Sequence, residues 1–508
     1  MFKQRQSGIL LHPSSLPSPY GIGSIGQPAR AFVKDLAGMG QSLWQMLPLG
    51  PTGYADSPYA PLSSFAGNPL LIGLDDLVAD GLLDASALAT YPATDPRRVD
   101  YEQILPVHRH LLDQVAAGFD MRANQSLKVA YRRFAETRPW LEDYAIYAAL
   151  KHRYGQQPWY EWPEALRKRD ACALVQVKSE CTREIQAITI QQFLFHHQWQ
   201  KLRRTCADMG IRLVGDLPFF VARDSADAWA NPELFRLDDA LLPTEVAGVP
   251  PDYFSADGQL WGNPLYDWPC HRETGYAWWI DRLIAILDQF DIVRIDHFRG
   301  FEACWAVPFG SPHAREGRWE PGPGHDFFQA IREQLGRLPI IAEDLGTITE
   351  GVHRLRDDFE LPGMRVLHFC FGENQPDNLK PENFPGNCIV YTGTHDNDTT
   401  RGWFHAQPGV NTASTQAQLD AERERMKAYL RSDGDEIEWD LMGLALNTRC
   451  NTAIIPMQDV LGLGSEARMN VPGTTVENWR WRMLGSALRD STRDRIRDLS
   501  VNSGRSAP

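Results

Sequence analysis

Three apolar segments of this chain each end in a carboxylic acid that could act as a nucleophile, an acid or a base. The segments are Asp291–His297, Leu338–Asp344 and Cys388–Asp396. A short apolar run predicts a buried parallel strand, and polar residues at the carboxyl ends of such strands meet at one rim of a barrel. Two carboxylates facing each other across such a rim are the groups that break a glycosidic bond. The segments therefore predict an enzyme that acts on sugars.

The neighbours of these acids suggest separate roles for them. Arg294 and Asp296 are two residues apart on a strand, so they share one face, and the guanidinium should lower the pKa of Asp296 and keep it ionised as a nucleophile. Glu343 follows an aliphatic run, and burial there should raise its pKa toward that of a general acid. Asp396, which follows His395, would be a third acid at the rim.

The alternative interpretation is that these acids form ordinary ion pairs at strand ends. Structural ion pairs also perturb pKa values, so this alternative is favoured for any one of the acids taken alone. Three acids on separate strands of one barrel favour an active site. In that site Asp296 and Glu343 should lie about 5–5.5 Å apart, as a nucleophile and an acid/base do.

Composition excludes several classes of function. The net charge of −14 disfavours nucleic acid as a partner. The N-terminal residues lack the apolar core of a signal peptide, and no segment approaches the roughly 18 apolar residues of a membrane span. Eight scattered cysteines without a C-x-x-C pair argue against a zinc site and a disulfide framework. We therefore predict a soluble protein of the reducing cytoplasm that does not bind membranes.

Eight strand candidates alternate with helical patterns along most of the chain. They are Gly8–His12, Leu43–Leu49, Ile211–Phe220, Asp291–His297, Pro339–Glu343, Met364–Cys370, Cys388–Thr394 and Thr452–Met457. Eight β/α units favour an α/β fold of the (β/α)₈ or TIM-barrel type over an open doubly wound sheet.

Two insertions interrupt the barrel pattern. Residues 70–200 have apolar residues at helical spacing and predict a mostly helical insertion subdomain, which leaves residues 1–69 and 201–500 for the barrel. Residues 221–270 are rich in Pro, Gly, Tyr and Trp, and they predict an irregular loop subdomain that shapes the substrate site at the carboxyl ends of the strands. Residues 501–508 are expected to be a disordered tail.

An ordered series of motifs along nearly the whole chain resembles one family. The motifs begin at Gly8 (GILLHPSSLP), Trp44 (WQMLPLGPTGY), Asp56 (DSPYA), Gly215 (GDLPFFVA), Gly248 (GVPPDYF), Trp261 (WGNPLY) and Gly464 (GSEARMNVPG), together with the three acid-bearing segments. The series is similar to that of the amylomaltases, the 4-alpha-glucanotransferases or disproportionating enzymes of the α-amylase superfamily. The resemblance implies transfer of α-1,4-glucan segments among maltooligosaccharides, starch or glycogen, with glucose as an acceptor.

The resemblance also implies residue roles. Asp296 matches the catalytic nucleophile, Glu343 the general acid/base and Asp396 the stabiliser of the transition state, in a retaining double displacement through a covalent glucosyl-enzyme. Matches to substrate-binding or site-organising residues are Arg294, His395, Asp216, Tyr59, Ser57, Trp261, Asn470, Tyr253 and Phe254. The last two match a loop that covers the cleft. Tyr54 and Tyr101 match an aromatic pair that forms a second glucan site in relatives.

Several alternatives remain open at this stage. Attack by water instead of a sugar hydroxyl would make the enzyme an α-1,4-glucan hydrolase, although an aromatic cover around Tyr253 and Phe254 would favour sugar. A non-catalytic glucan-binding barrel is disfavoured because all three acids are present. The histidines have no metal-ligand spacing, and Gly21–Gly26 matches G-x-G-x-x-G outside a strand–turn–helix context, so no metal or cofactor is predicted. The expected assembly is a monomer or weak homo-oligomer.

Overall fold

The computed structural model describes residues 4–251, 257–373, 375–409 and 414–506. The strands in these residues are β1 Gln6–Leu10, β2 Leu43–Gln45, β3 Arg212–Leu217, β4 Glu245–Val249, β5 Gln259–Pro264, β6 Ile292–Ile295, β7 Ala303–Pro308, β8 Arg318–Pro321, β9 Ile340–Ala342, β10 Gly363–Val366, β11 Cys388–Tyr391 and β12 Thr452–Pro456.

The α-helices are α1 Gln27–Gly38, α2 Leu74–Ala79, α3 Tyr101–Arg122, α4 Gln125–Glu136, α5 Trp140–Arg153, α6 Glu164–Arg167, α7 Ala171–Glu180, α8 Thr182–Asp208, α9 Ala226–Ala230, α10 Trp268–Glu273, α11 Ala277–Gln289, α12 Gly324–Leu335, α13 Glu350–Asp358, α14 Thr400–Phe404, α15 Gln416–Leu430, α16 Ile437–Asn447, α17 Met457–Val460 and α18 Asp490–Asn502. No described helix is long and apolar enough to cross a membrane.

Eight parallel strands form the barrel in the order β10-β11-β12-β1-β2-β3-β6-β9. The amide of Ala342 donates to the carbonyl of Pro362 at 2.9 Å, which links β9 to the chain entering β10 and nearly closes the sheet. All eight predicted strands are present, and the predicted (β/α)₈ fold is confirmed. Seven of the eight strands are shorter than predicted, and β1 keeps the predicted length but begins two residues earlier. The predicted carboxyl ends leave the ladder as loops, and those loops carry the polar residues.

Residues 70–200 are mostly helical and contain α2 to α7 and most of α8. The helical pattern that runs through residues 174–209 is divided at Cys181, where α7 ends and α8 begins. Helix α8 then reaches the barrel, where the indole of Trp199 donates to the carbonyl of Gln289 at 3.0 Å. Apolar side chains of the helices and the barrel belong to one continuous core. The division into barrel and insertion subdomain therefore stays a prediction.

A second, antiparallel sheet lies in the loops that follow β3 and β6. Its strand order is β5-β4-β7-β8. The segment 221–270, expected to be irregular, contributes β4 and β5, and residues after β6 contribute β7 and β8. Sequence patterns missed this sheet because its strands are short, and in β5 the apolar residues Leu260 and Trp261 are adjacent and both exposed, so the alternation typical of a half-buried strand is absent.

The chain end contradicts the expected disordered tail at residues 501–506. Helix α18 continues to Asn502, and the side chain of Arg505 is completely buried. Its guanidinium donates to five main-chain carbonyls near the amino end of the barrel, those of Gln6, Leu446, Thr448, Cys450 and Asn451, at 2.6–3.2 Å. The tail is ordered because this arginine gives hydrogen bonds to carbonyls of β1, of the end of α16 and of the chain before β12; Arg5 and the Gln6 amide donate to three of the same carbonyls.

Cys388 and Cys450 form a disulfide in the structure, which contradicts the expectation that the cysteines are unpaired. Cys388 begins β11, and Cys450 precedes the neighbouring strand β12, so parallel pairing brings their Cα atoms to 5.2 Å. The 62-residue separation in sequence gave no sign of this contact.

Candidate active site

The acids predicted from sequence lie at one end of the barrel. Asp296 directly follows β6, Glu343 directly follows β9, and Asp216 lies near the end of β3. Parallel pairing of β3 with β6 sets Asp216 opposite Arg294. Because all the barrel strands run in the same direction, these residues converge at the carboxyl-terminal mouth, where barrel enzymes place their active sites.

One buried arginine holds two of these acids. Arg294 donates through Nη1 to both oxygens of Asp216 at 2.7 Å, and through Nη2 to Oδ1 of Asp296 at 2.9 Å. Its side chain is only 5% exposed, so water screens these contacts weakly. A single guanidinium therefore serves two carboxylates, and the second oxygen of Asp296 is free of this partner.

The pKa of Asp296 moves opposite to the direction predicted from sequence. Burial raises its pKa to about 6, and the charges of Asp216 and Asp396 add to this effect. Arg294 lowers the pKa, as expected, but it does not overcome burial because Asp216 shares its charge. The prediction of a net depressed pKa for this carboxylate is therefore wrong.

Glu343 is held by two main-chain amides. Oε2 accepts from the amide of His297 at 2.8 Å, and Oε1 accepts from the amide of Leu345 at 2.8 Å. His297 has a left-handed backbone (φ 50°) directly after Asp296, which aims its amide at the glutamate. Burial nevertheless raises the pKa of Glu343 to about 7, with a further contribution from the charge of Asp296.

Asp396 is more open than the other two acids, with 44% of its side chain exposed. Its Oδ1 accepts from the amide nitrogen of Asn470 at 2.6 Å and lies 3.5 Å from Nε2 of His395. Arg468 donates to the Asp396 carbonyl at 2.7 Å. The carboxylate is thus oriented from one side and presents its other oxygen to the cleft.

Tyr59 connects the two halves of the mouth. Its hydroxyl donates to Asp216 at 2.7 Å, and its ring stacks on that of His395 with centroids 5.0 Å apart and planes 8° apart. The Ser57 hydroxyl accepts from the Tyr59 amide at 3.2 Å and shapes the turn that presents the tyrosine. Burial raises the pKa of Tyr59 well above its usual value, so the hydroxyl stays protonated.

The aromatic residues predicted to contact sugar have different environments. Trp261 is 39% exposed and lies edge-on to His297, the residue after Asp296, with ring centroids 4.9 Å apart. Tyr253 and Phe254 lie outside the described residues. Tyr54 is 78% exposed, whereas Tyr101 is 5% exposed and donates its hydroxyl to the Trp479 carbonyl. Tyr54 and Tyr101 therefore do not form an open aromatic pair.

Sequence reasoning gave no site role to Trp479 or Arg468. The Trp479 ring lies 5.8 Å from that of Tyr59 and 6.1 Å from that of His395, so it supports their stack. Arg468 belongs to the motif that begins at Gly464, and its place in that motif was the available signal. Trp479 carried no signal, because its contacts depend on a loop that returns from beyond β12.

Among the residues that the structure describes, no group of three or more His, Cys, Asp and Glu side chains could hold a metal ion. The groups at the mouth are thus two half-buried acids of raised pKa, a third acid, Asp396, and an arginine that links Asp296 to Asp216. The parallel barrel and this set of acids define a class, the barrel enzymes that act on glycosidic bonds.

Comparison with known proteins identifies the family within this class. The 4-alpha-glucanotransferase family model matches residues 11–487. The chain is 46% identical to the 4-alpha-glucanotransferase of Thermus thermophilus over 505 residues, 98% of each chain. It is 43% identical to the chloroplastic/amyloplastic 4-alpha-glucanotransferase of Solanum tuberosum, with 99% of this chain and 87% of that protein covered.

A solved structure agrees with these sequence matches. The amylomaltase of Streptococcus agalactiae in complex with acarbose superimposes with a TM-score of 0.94 at 35% identity, over 99% of this chain and 100% of that one. The chain belongs to the 4-alpha-glucanotransferase family, as the motif series indicated. It is a transferase of the amylomaltase type, and this identity is favoured over the hydrolase alternative.

Proposed function

We propose that this enzyme moves α-1,4-glucan segments between maltooligosaccharides by a double displacement in which Asp296 is the nucleophile and Glu343 the acid/base. The hydrogen-bond partners of the two acids carry the proposal. Arg294 donates to Oδ1 of Asp296 at 2.9 Å and stabilises its anion, as a nucleophile needs. Glu343 accepts from two neutral main-chain amides at 2.8 Å, and burial raises its pKa to about 7, which favours the protonated form that an acid needs. The predicted separation of about 5–5.5 Å belongs to the same proposal.

In the first step Glu343 gives its proton to the glycosidic oxygen, and Asp296 attacks the anomeric carbon. The C–O bond to the leaving sugar breaks, and that sugar departs with a new 4-hydroxyl group. The product is a covalent glucosyl-enzyme ester on Asp296. Arg294 stabilises the aspartate as an anion before attack and again as a leaving group in the second step.

In the second step the ionised Glu343 takes the proton from the 4-hydroxyl group of an acceptor sugar. The acceptor oxygen attacks the anomeric carbon, and the ester bond to Asp296 breaks. Two inversions restore the α configuration. Water in the place of the acceptor would yield hydrolysis, so the balance depends on which molecule reaches the ester first.

Asp396, His395 and Tyr59 are proposed to bind the sugar whose bond is broken. The exposed oxygen of Asp396 would accept from ring hydroxyls more strongly as the ring flattens toward the oxocarbenium-like transition state. Ser57, Trp261 and Asn470 are proposed as further donor or acceptor contacts. No cofactor or metal takes part in this scheme.

The proposed substrates are maltooligosaccharides and starch- or glycogen-type α-1,4-glucans, with glucose as an acceptor. These substrates are neutral, so the net charge of −14 does not oppose their approach, whereas it disfavours nucleic acid. Incubation with maltotriose and chromatography of the products tests the proposal. Transfer gives glucose together with oligomers longer than maltotriose, whereas glucose and maltose alone would overturn it.

A cover formed by Tyr253 and Phe254 is proposed to favour sugar over water by shielding the ester. Phe254→Ser should raise the ratio of hydrolysis to transfer, measured as reducing ends released per oligomer transferred. Phe309→Ser is the control, because Phe309 is an exposed aromatic residue (43%) that follows β7 and has no proposed role. An unchanged ratio in Phe254→Ser would reject the shielding role.

A cytoplasmic location and a monomeric or weakly homo-oligomeric state complete the proposal. Six of the eight cysteines are free thiols in the described chain, which favours a reducing compartment, whereas the Cys388–Cys450 disulfide does not. Cell fractionation tests the location, and sedimentation velocity at several protein concentrations tests the assembly.

A further inference from the structure

The loop of residues 393–399 carries two of the site residues, His395 and Asp396. It begins after Thr392, which follows β11, and it ends at Thr400, the first residue of α14. One side of the loop faces an open pocket that is lined by Thr394, His395, Asn397, Asp398 and Thr399 together with residues of other loops. The loop is therefore not fully packed on that side, and its position depends on contacts elsewhere.

A buried carboxylate joins the two ends of this loop. Asp459, in α17 after β12, is 1% exposed. Its Oδ2 accepts from the hydroxyls of Thr392 at 2.5 Å and Thr400 at 2.8 Å, and its Oδ1 accepts from the Thr400 amide at 2.7 Å. Two residues eight positions apart are thus held by one side chain from a neighbouring strand end.

A histidine extends this network on the inner side of the loop. Nε2 of His368 lies 3.1 Å from the hydroxyl oxygen of Thr400. Since Thr400 gives its own proton to Asp459, it accepts from His368, which therefore carries its proton on Nε2. The His368 ring stacks on Trp403 with centroids 4.4 Å apart. A Cβ atom at Gly393 would lie 2.7 Å from Cε1 of His368, so the loop approaches this ring closely.

We propose that Asp459 is a positioning residue for the reaction, fixing the loop that presents His395 and Asp396 to the sugar. This inference rests on the proposed role of Asp396 in the transition state. Asp459 touches neither substrate nor reacting atoms; it acts through Thr392 and Thr400. A displacement of about 1 Å at a catalytic group can cost about 100-fold in rate. The network therefore serves the transition state more than the binding of the resting substrate.

The test compares Asp459→Asn, Thr392→Val and Thr400→Val with the full-length parent enzyme. The asparagine keeps the shape of the side chain but turns an amide NH₂ toward the donors. We expect kcat for maltotriose to fall roughly 10- to 100-fold in Asp459→Asn and about 3- to 10-fold in each valine variant, with KM within about twofold of the parent. Thr392→Ser restores the hydroxyl and should recover the parent kcat.

Two further measurements separate positioning from a merely structural role. Acarbose, whose unsaturated ring imitates a flattened sugar, should bind Asp459→Asn at least about tenfold more weakly in calorimetry. Asp227→Asn is the matched control, since Asp227 is another buried carboxylate, bonded to the Ser64 amide at 2.7 Å and apart from residues 393–399. It should leave kcat and acarbose affinity unchanged.

Specific results would overturn the inference. One is a folded Asp459→Asn variant with the parent kcat and acarbose affinity, even if its thermal midpoint is lower. Another is Thr392→Val as active as Thr392→Ser, which remains decisive if Asp459→Asn does not fold. Asp396→Asn is assayed in parallel: high activity there would refute the proposed role of Asp396, whereas an inactive Asp396→Asn beside a normal Asp459→Asn would refute only the positioning role.

Discussion

The two ends of the barrel both bury charge, but they satisfy it differently. At the amino end, all five N–H groups of Arg505 reach main-chain carbonyls, and burial, with the charge of Arg5, lowers its pKa to about 9. At the carboxyl-terminal mouth, Arg294 is shared by Asp216 and Asp296, and burial raises the pKa of both Asp296 and Glu343.

This difference means that the buried charge at the amino end contributes to stability, whereas the buried charge at the mouth contributes to catalysis. The carbonyls near Arg505 already accept hydrogen bonds within the protein, so they are not available to bind a ligand. The acids at the mouth have oxygen atoms that can accept further hydrogen bonds, and the hydroxyl groups of a sugar can donate them. Substitutions at the amino end should therefore change the free energy of unfolding, while substitutions at the mouth should change rate and pH dependence.

The largest expected effect is at the mouth. Glu343→Gln removes the proton donor, so kcat for maltotriose should fall by about 10²- to 10⁴-fold. A glucosyl fluoride donor should recover most of the first step, because fluoride leaves without being protonated; the burst of released fluoride measures that step. Glu382→Gln, an exposed position, is the control. Equal losses with both donors would show that Glu343 is not the acid.

At the amino end, Arg505→Met removes five hydrogen bonds to main-chain carbonyls, although those of Leu446 and Thr448 still accept from Arg5 and that of Asn451 still accepts from the Gln6 amide. The free energy of unfolding should fall by roughly 3 kcal/mol or more, measured by urea denaturation, while kcat of the folded enzyme stays at the parent value. Arg505→Lys should lose less because three N–H donors remain. Arg497→Met, on the exposed face of α18, which precedes Arg505, is the control. A change in kcat without a loss of stability would break the contrast between the two ends.

The pH dependence reports the acids at the mouth. Asp296 must be ionised, so activity should rise as the pH increases through about 6, and Glu343 must be protonated, so activity should fall as the pH increases through about 7. The negative charge of Asp216 raises the pKa of Asp296, so Asp216→Asn should move the acidic limb of kcat/KM to lower pH by roughly one unit. An acidic limb that stays in place or moves to higher pH would contradict the assignment; Asp227→Asn serves as the control.

The smallest effect is expected at the outer surface of the mouth. Tyr54→Ala should leave kcat for maltotriose unchanged and weaken the binding of amylose by about two- to tenfold in affinity electrophoresis, since one exposed stacking face is lost. Tyr101→Phe removes only the hydroxyl bonded to Trp479 and should lower the free energy of unfolding by about 1 kcal/mol with no change in amylose binding. If both variants lost amylose binding equally, Tyr54 and Tyr101 would have to act together as a glucan-binding pair.

The sequence by itself determined the barrel and the acids at its mouth. Apolar runs such as those before Asp296 and Glu343 are long enough to be buried strands, and parallel strands must deliver their carboxyl ends to one rim. The helices between residues 101 and 208 followed equally from the spacing of their apolar residues. These features depend on short-range patterns that any barrel of this kind must satisfy.

The tertiary structure alone decided how each charge is satisfied. The net pKa of Asp296 depends on Asp216, 80 positions away, and the order of the tail depends on Arg505 meeting carbonyls near residue 450. The hydrogen bonds that hold the two ends of the loop of residues 393–399 likewise depend on Asp459, about 60 positions further along the chain. Hydrogen bonding and desolvation act over a few ångströms in space, whatever the distance along the chain, so a linear pattern names the residues but not their partners.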